Sequence, residues 1–219
     1  MIGCRIALGV VWVPALAFCA FASAQLMERP ELHEEDTWVY SLYEGGSLAD
    51  PGNYESVESF TVVRVTPTYW GVSTGYQMAR SLTSKRTGET KKSSYRISRD
   101  LNGYARQNPA SPLQEVLWVQ WPLEPGQSWR FERPLAAGTQ IWETKINGWE
   151  DVEVPAGRFR TIRVDIDLVS NPNPLVTWQT KLWYSPDVKS FVKKTDYGFY
   201  EASAPIRRDT RELTSYTLH

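Results

Sequence analysis

Hydrophobic and polar residues alternate with a period of two along several stretches of the chain. In residues 161–168 every second position is Ile, Val or Leu, and the positions between are Thr, Arg or Asp. The same alternation occurs in residues 37–44, 60–65 and 176–184. Successive side chains of a β-strand point to opposite faces of the sheet. The pattern therefore predicts strands that bury one face and expose the other.

Turn-forming residues separate these runs at intervals of roughly ten residues, a spacing typical of β-sandwiches and barrels. Asn102-Gly103 and Asn147-Gly148 suit type I′ hairpins, because both central residues of that turn need positive φ. The other turn signals are Gly45-Gly46, Asp50-Pro51-Gly52, Thr87-Gly88, Glu124-Pro125-Gly126, Pro155-Ala156-Gly157 and residues 171–174. Together with the alternation, these signals predict that most of the chain forms β-sheet.

The same pattern constrains how the sheet is covered. No stretch after residue 36 has the 3.6-residue period of an amphipathic helix, and residues 27–35, with Pro30 near the start, are the one helix candidate. Residues 116–121 are apolar at both parities and predict a strand buried on both faces. Without helices, such a sheet must curl onto itself or face a second sheet. We expect an all-β fold: a single antiparallel sheet of about eleven strands, curled into an open or partial β-barrel.

The first 24 residues have the features of a secretory signal peptide. Arg5 precedes an apolar run over residues 6–21, and Ala22-Ser23-Ala24 follows it, so we predict cleavage before Gln25. A transmembrane anchor is the alternative, but the run is shorter than the ~20 residues needed to span a bilayer. Lipid attachment at Cys19 is disfavoured by the bulky Phe18 before it. We expect residues 1–24 to be the signal peptide and residues 25–219 a single β domain, periplasmic or secreted from a bacterium.

Composition and charge exclude several classes of function. Hydrophobic residues make up 42% and charged residues 22% of the chain, which is ordinary for a globular protein. The formal net charge is −1, so there is no basic excess for nucleic acid or for a polybasic membrane contact. The only cysteines, Cys4 and Cys19, leave with the predicted signal peptide. The mature domain then has no disulfide or thiolate ligand, and no cofactor is expected.

One motif resembles the nucleophile elbow of serine hydrolases. Residues 71–75 fit G-x-S-x-G, with Ser73 at the centre. The elbow requires a strand-to-helix turn and a histidine within reach. No helix pattern follows Ser73, and the only downstream histidine is His219. We therefore expect a strand bent at its glycines and no catalytic serine.

Metal and acid–base sites have equally weak signals. His33 lies among acidic residues but lacks a second histidine at metal-ligand spacing, so we expect a solvated N-terminal segment and no metal site. Asp165 and Asp167 share one strand face, about 6–7 Å apart, a separation that would suit glycoside hydrolysis. They occupy the polar face of an amphipathic strand, where carboxylates simply face water. The same interpretation applies to Glu150, Asp151 and Glu153.

Two motifs resemble those of known proteins. Residues 147–159 contain G-x-E-x-V-x-V-P-A-G-x-F, and residues 182–194 contain W-Y-x-P-x-V-x-x-F-V-K, with the hairpin-like residues 121–129 preceding them. This combination resembles exported bacterial β-protein families that carry only domain-of-unknown-function labels. The resemblance implies a secreted antiparallel sheet in an open or partial barrel, distantly similar to the half-barrels of lipoprotein carriers. It implies no catalytic residue, and Trp149 departs from the small or polar residue expected there.

Two functions of different classes remain. The first is a non-catalytic binding or carrier protein whose concave face takes a lipid or another apolar or amphipathic ligand. The alternative is a structural or interaction module that binds an envelope protein through an open strand edge. A hydrolase ranks third. The candidate ligand contacts are Trp118, Trp121, Trp178 and Trp183, and the two members of each neighbouring pair have opposite strand parity.

Overall fold

The fold is that of a computed structural model of the full chain. It describes residues 26–45, 54–66, 75–105, 114–135, 138–171, 176–199 and 207–219. The predicted signal peptide with its cleavage site, and Ser73 of the G-x-S-x-G motif, lie outside these ranges.

Twelve strands make up most of the described residues. They are β1 Thr37–Glu44, β2 Tyr54–Val65, β3 Gly75–Ser84, β4 Thr90–Ser98, β5 Gly103–Ala105, β6 Gln114–Val116, β7 Ser128–Leu135, β8 Gly138–Val154, β9 Gly157–Asn171, β10 Val176–Ser185, β11 Ser190–Gly198 and β12 Arg207–Thr217. A 3-10 turn, Pro186–Val188, joins β10 to β11. None of the described residues forms a helix long and apolar enough to cross a membrane. The all-β prediction is confirmed, with twelve strands where about eleven were expected.

The strands form one antiparallel sheet in the order β6-β5-β4-β3-β2-β1-β12-β11-β10-β9-β8-β7. Strands adjacent in the chain are therefore adjacent in the sheet, except that β1 pairs with β12 and the edges are β6 and β7. The sheet curls into a nearly closed barrel shape. Contacts cross its interior: the Trp38 indole on β1 donates a hydrogen bond of 2.6 Å to the Val188 carbonyl of the 3-10 turn. This arrangement confirms the predicted open or partial barrel.

Two segments outside the strands fill part of the barrel interior. Met27 and Leu123 exchange two backbone hydrogen bonds of 2.9 Å, and both side chains are buried. Leu32 is buried in a second apolar cluster with Trp38. The helix predicted for residues 27–35 is therefore wrong. Pro30 disfavours helical geometry in the residue before it, and the extended path lets Met27 and Leu32 reach separate parts of the core.

The strand predicted for residues 116–121 is also wrong beyond its first residue. β6 ends at Val116, and the next backbone groups bond to the Asn102 side chain instead of a neighbouring strand. The Asn102 Oδ1 accepts hydrogen bonds from the Trp118 and Val119 backbone N–H groups at 2.9 and 2.8 Å. Apolar residues occur at both parities here because the segment after Val116 is not a strand, so its side chains need not alternate between two sheet faces.

Neither Asn-Gly pair forms the predicted type I′ hairpin turn. Asn147-Gly148 lies inside β8, where the register with β9 shifts between Ile146 and Gly148, so it forms a bulge. Asn102 is buried, and the turn before β5 has its positive φ of 63° at Leu101. By contrast, the hairpin predicted at Pro155-Ala156-Gly157 does join β8 to β9, with Gly157 at φ 134°.

Replacing Gly75 with Ala is expected to lower the free energy of unfolding by about 1–3 kcal/mol through overpacking. A Cβ at this position would lie 2.1 Å from the Ile97 carbonyl oxygen, which is fixed in the β3–β4 ladder. Gly103→Ala is the control, because its Cβ would meet the movable Trp118 ring at 3.2 Å. Urea denaturation of the three proteins measures the difference. Equal losses for the two variants would contradict this expectation.

Candidate functional site: a cavity on the concave face

The concave face of the curled sheet lines an open cavity of about 1040 Å³. Ten of its lining residues are aromatic, eight are aliphatic and one is a methionine. Strand parity explains this lining: on β10 the residues Trp178, Thr180, Leu182 and Tyr184 all face the cavity, as their period-two spacing predicts. No described residue belongs to a helix that could occupy this space. The interior therefore combines a packed core with a large apolar hollow.

An aromatic strip crosses the cavity wall. The Tyr40 ring stacks on Phe191 with centroids 4.7 Å apart and meets Phe60 edge-on at 5.8 Å. Phe60 in turn contacts Tyr95 at 6.3 Å. The Tyr40 hydroxyl donates to the Phe191 carbonyl at 2.9 Å, and burial raises the pKa of Tyr40 well above its ordinary value. The strip is thus a neutral, rigid surface suited to apolar groups.

Of the four predicted ligand contacts, Trp118 and Trp178 line the cavity. Trp118 is 40% exposed, and the Trp178 indole donates to Asp196 at 3.3 Å. Their role in ligand binding stays a prediction.

The other two tryptophans lie elsewhere. The Trp121 indole donates to the Asp100 carbonyl at 2.9 Å, and its ring packs against Tyr184. The Trp183 indole donates to Glu150 at 2.7 Å on the outer face of the sheet. The parity argument therefore applies to the pair on β10, Trp178 and Trp183. It does not apply to Trp118 and Trp121, because that segment is not a strand.

A group of charged residues on the cavity wall was not predicted from the sequence. Glu58 is fully buried and accepts from Arg80 Nε at 2.5 Å and from Arg211 Nε at 2.6 Å. Arg211 Nη1 also donates to Asp196 at 3.0 Å, and Lys194 Nζ lies 3.1 Å from the same carboxylate. One feature of the sequence could have placed Glu58 on the cavity wall. It is two residues before Phe60 on the same strand and so faces the same side of the sheet.

We term this group the inner ion cluster; it consists of Glu58, Arg80, Lys194, Asp196 and Arg211. Its members interact through their charges. Desolvation lowers the pKa of Arg211, but the adjacent carboxylates of Glu58 and Asp196 outweigh it and leave the pKa raised. The Thr180 hydroxyl donates to Asp196 at 2.5 Å, so this carboxylate interacts with Thr180 as well as with Arg211 and Lys194. The cluster therefore holds fixed charges inside an apolar cavity.

The carboxylates considered for catalysis do not face the cavity. Asp165 pairs with Arg163 Nε at 3.2 Å, and Asp167 accepts from Gln179 at 2.8 Å. Asp151 is exposed, and the hydrogen bond from Arg158 lowers its pKa. Within the described ranges, no group of three or more His, Cys, Asp or Glu side chains could hold a metal ion.

His33 is exposed, and its Nδ1 lies 3.0 Å from Lys189 Nζ. Lys189 Nζ also lies 3.6 Å from the buried Asp36. This part of the N-terminal segment is thus tied to the turn before β11.

Comparisons with known proteins concern the fold. No family model and no curated protein matches the chain. A provisionally assigned exported protein with a YmcC-like fold from Bacteroides fragilis is 13% identical, with a TM-score of 0.47, and covers 89% of this chain and 99% of its own. A provisionally assigned lipoprotein from Parabacteroides distasonis is 14% identical, with a TM-score of 0.48 and coverage of 88% and 100%.

A third similar structure is a provisionally assigned outer-membrane lipoprotein-sorting domain from Vibrio parahaemolyticus, 7% identical, with a TM-score of 0.23 and 87% of both chains covered. These descriptions agree with the resemblance seen in the sequence motifs, to exported β-proteins and to lipoprotein carriers.

Proposed function

We propose that this chain is a non-catalytic binding or carrier protein of the bacterial periplasm or exterior, with an apolar or amphipathic ligand in the barrel cavity. The supporting observation is the cavity of about 1040 Å³ with its mainly aromatic and aliphatic lining. Ligand pockets typically measure about 300–1,000 Å³ and are lined mostly by apolar side chains. Water gains few hydrogen bonds in such a space, whereas an apolar chain loses its contact with water.

The alternative, a module that binds an envelope protein by strand addition, has less support. β7 is the longer edge strand, and its exposed residues include Arg130, Glu132 and Pro134. Charged residues and proline on an edge strand are common devices against pairing with another chain. The hollow interior also favours a ligand over a purely structural role.

Narrowing the cavity is expected to weaken ligand binding. Leu182 lies on the cavity wall between Val164 and Lys194, so Leu182→Trp places an indole in the hollow. We expect the neutral dye N-phenyl-1-naphthylamine to bind this variant at least about tenfold more weakly, a loss of only about 1.4 kcal/mol. Fluorescence titration of the purified mature domain measures the affinity.

The matched control is Lys181→Trp. Lys181 is the preceding residue on β10 and faces outward, with its ammonium 5.9 Å from the Tyr197 ring. This variant should bind the dye like the unmodified protein. Absence of dye binding by the unmodified protein, or equal losses in both variants, would rule out the cavity as the binding site. Native mass spectrometry of the same preparation would identify a co-purified ligand.

A further inference from the structure

Charge is unevenly distributed between the cavity surface and the layer behind it. Of the charged side chains that line the cavity, one is acidic, Glu58, and five are basic: Arg80, Arg133, Lys189, Lys194 and Arg211. The carboxylates that pair with Lys189 and Lys194, Asp36 and Asp196, are buried and do not line the cavity. A molecule inside the cavity therefore meets mainly cationic groups.

Exposure within the inner ion cluster shows the same asymmetry. The side chains of Glu58 and Asp196 are 1% and 4% exposed. Those of Arg211, Lys194 and Arg80 are 16%, 28% and 35% exposed. The two carboxylates are thus enclosed by their partners, and the accessible part of the cluster is cationic.

The three cations converge on a small area of the wall. Arg80 and Arg211 donate to the two oxygens of the same carboxylate, Glu58. Lys194 is the cross-strand neighbour of Arg211 and shares Asp196 with it. The cluster therefore has three positive charges and two negative ones.

Beyond the cluster, Asp209 is also buried, and its own ion-pair partner is Arg207. Arg207 pairs with Asp209 at 2.9 Å and also reaches Glu44 at 3.3 Å. None of these three residues lines the cavity, and the Glu44 side chain is 34% exposed, so water screens it. Arg207 therefore offsets the charge of Asp209, and a molecule in the cavity contacts none of these three residues.

The cationic area borders the aromatic strip. Glu58 accepts the hydrogen bonds of Arg80 and Arg211. It is also the cross-strand partner of Tyr40 and lies two residues from Phe60 on β2. A single molecule can therefore place an apolar chain on the aromatic rings and a charged end on the cations. Fixed donors in a site of low dielectric bind an anion more strongly than water-exposed ones do.

We propose that the cavity selects amphiphiles whose polar end is anionic, with Arg80, Lys194 and Arg211 contacting that end. This inference rests on the proposed binding function and adds the charge of the ligand. The shared chemistry is a carboxylate, sulfonate or phosphate attached to an apolar chain.

Two dyes that differ in one group provide the test. Anilinonaphthalene-8-sulfonate has the framework of N-phenyl-1-naphthylamine plus a sulfonate. In Lys194→Gln we expect the affinity for the sulfonated dye to fall about tenfold, the effect of one charge-assisted hydrogen bond. The affinity for the neutral dye should change less than about twofold, a few tenths of a kcal/mol.

The control is Lys193→Gln on the same strand. Lys193 faces outward, pairs with Glu212 at 2.7 Å, and has the same 28% side-chain exposure as Lys194. Lys193→Gln removes one positive charge and one ion pair, as Lys194→Gln does, but outside the cavity. We therefore expect the affinity for either dye to be unchanged. Equal effects of the two variants on the sulfonated dye, or equal losses of both dyes in Lys194→Gln, would overturn the proposal.

A competition on the unmodified protein supplies a second readout that does not depend on variant folding. Dodecanoate, dodecyl phosphate and dodecanol compete for bound N-phenyl-1-naphthylamine. Stronger displacement by either anion than by the alcohol supports the proposal, and the better anion shows whether the source is a fatty acid or a phosphate. If all three displace equally, charge selection is wrong while the binding function stands. If the dye does not bind, the binding function itself fails.

Discussion

Glu58→Gln is expected to lower the free energy of unfolding by about 3–5 kcal/mol, because it removes the buried negative charge that the partly buried Arg80 and Arg211 share. Glu58 is fully buried and accepts from Arg80 and Arg211 on two other strands, β3 and β12. Arg211 would retain only Asp196. Urea denaturation followed by circular dichroism measures the loss.

Glu55→Gln on the same strand is the control for this prediction. Glu55 pairs with Lys85, and both side chains are more than one third exposed. Exposed ion pairs contribute about 0–1 kcal/mol, so this variant should unfold almost like the unmodified protein. A loss below about 1 kcal/mol for Glu58→Gln would show that the cluster tolerates an uncompensated cation.

Asn102→Leu is expected to cost about 2 kcal/mol, about 1 kcal/mol for each of the two Val119 backbone groups that it leaves unpaired, because the Trp118 N–H keeps its hydrogen bond of 2.8 Å to the Val116 carbonyl. The Asn102 amide bonds to the backbone N–H groups of Trp118 and Val119, and its Nδ2 donates to the Val119 carbonyl at 2.9 Å. The side chain is fully buried, so water does not replace these bonds in the folded state.

The matched control for Asn102→Leu is Asn147→Ala. The Asn147 Nδ2 is buried without a hydrogen-bond partner, so its removal should cost less than about 1 kcal/mol. A second readout links Asn102 to the cavity: release of residues 117–120 should shift Trp118 emission to longer wavelength. Similar stabilities of the two variants would contradict the role given to Asn102.

Periodicity predicted the sheet well wherever the neighbours of a segment are strands. β1 has the predicted bounds, residues 37–44, and buries Trp38, Tyr40 and Leu42 as expected. The same rule failed at residues 117–121, because the backbone there bonds to a side chain that lies 16 residues earlier, at Asn102. Hydrophobic alternation carries no information about such a partner.

The inner ion cluster shows a second limit of sequence analysis. Glu58 and Arg211 are 153 residues apart in the chain and meet only because β1 lies between β2 and β12 in the sheet. Parity could place Glu58 on the apolar face, but it could not identify the cations that neutralise it. The sequence indicated four tryptophans instead, and two of them, Trp121 and Trp183, lie away from the cavity.

The pairing of β1 with β12 has a consequence for the order in which the chain folds. Every other strand pair in the sheet joins chain neighbours, whereas this pair joins segments 175 residues apart, as between Thr214 and Val39. Contacts between distant segments form late, since closing the intervening loop costs entropy before any contact repays it. The chain thus divides into two meanders, β1–β6 and β7–β12, and we expect the seam between β1 and β12 to form after the hairpins and to limit the folding rate.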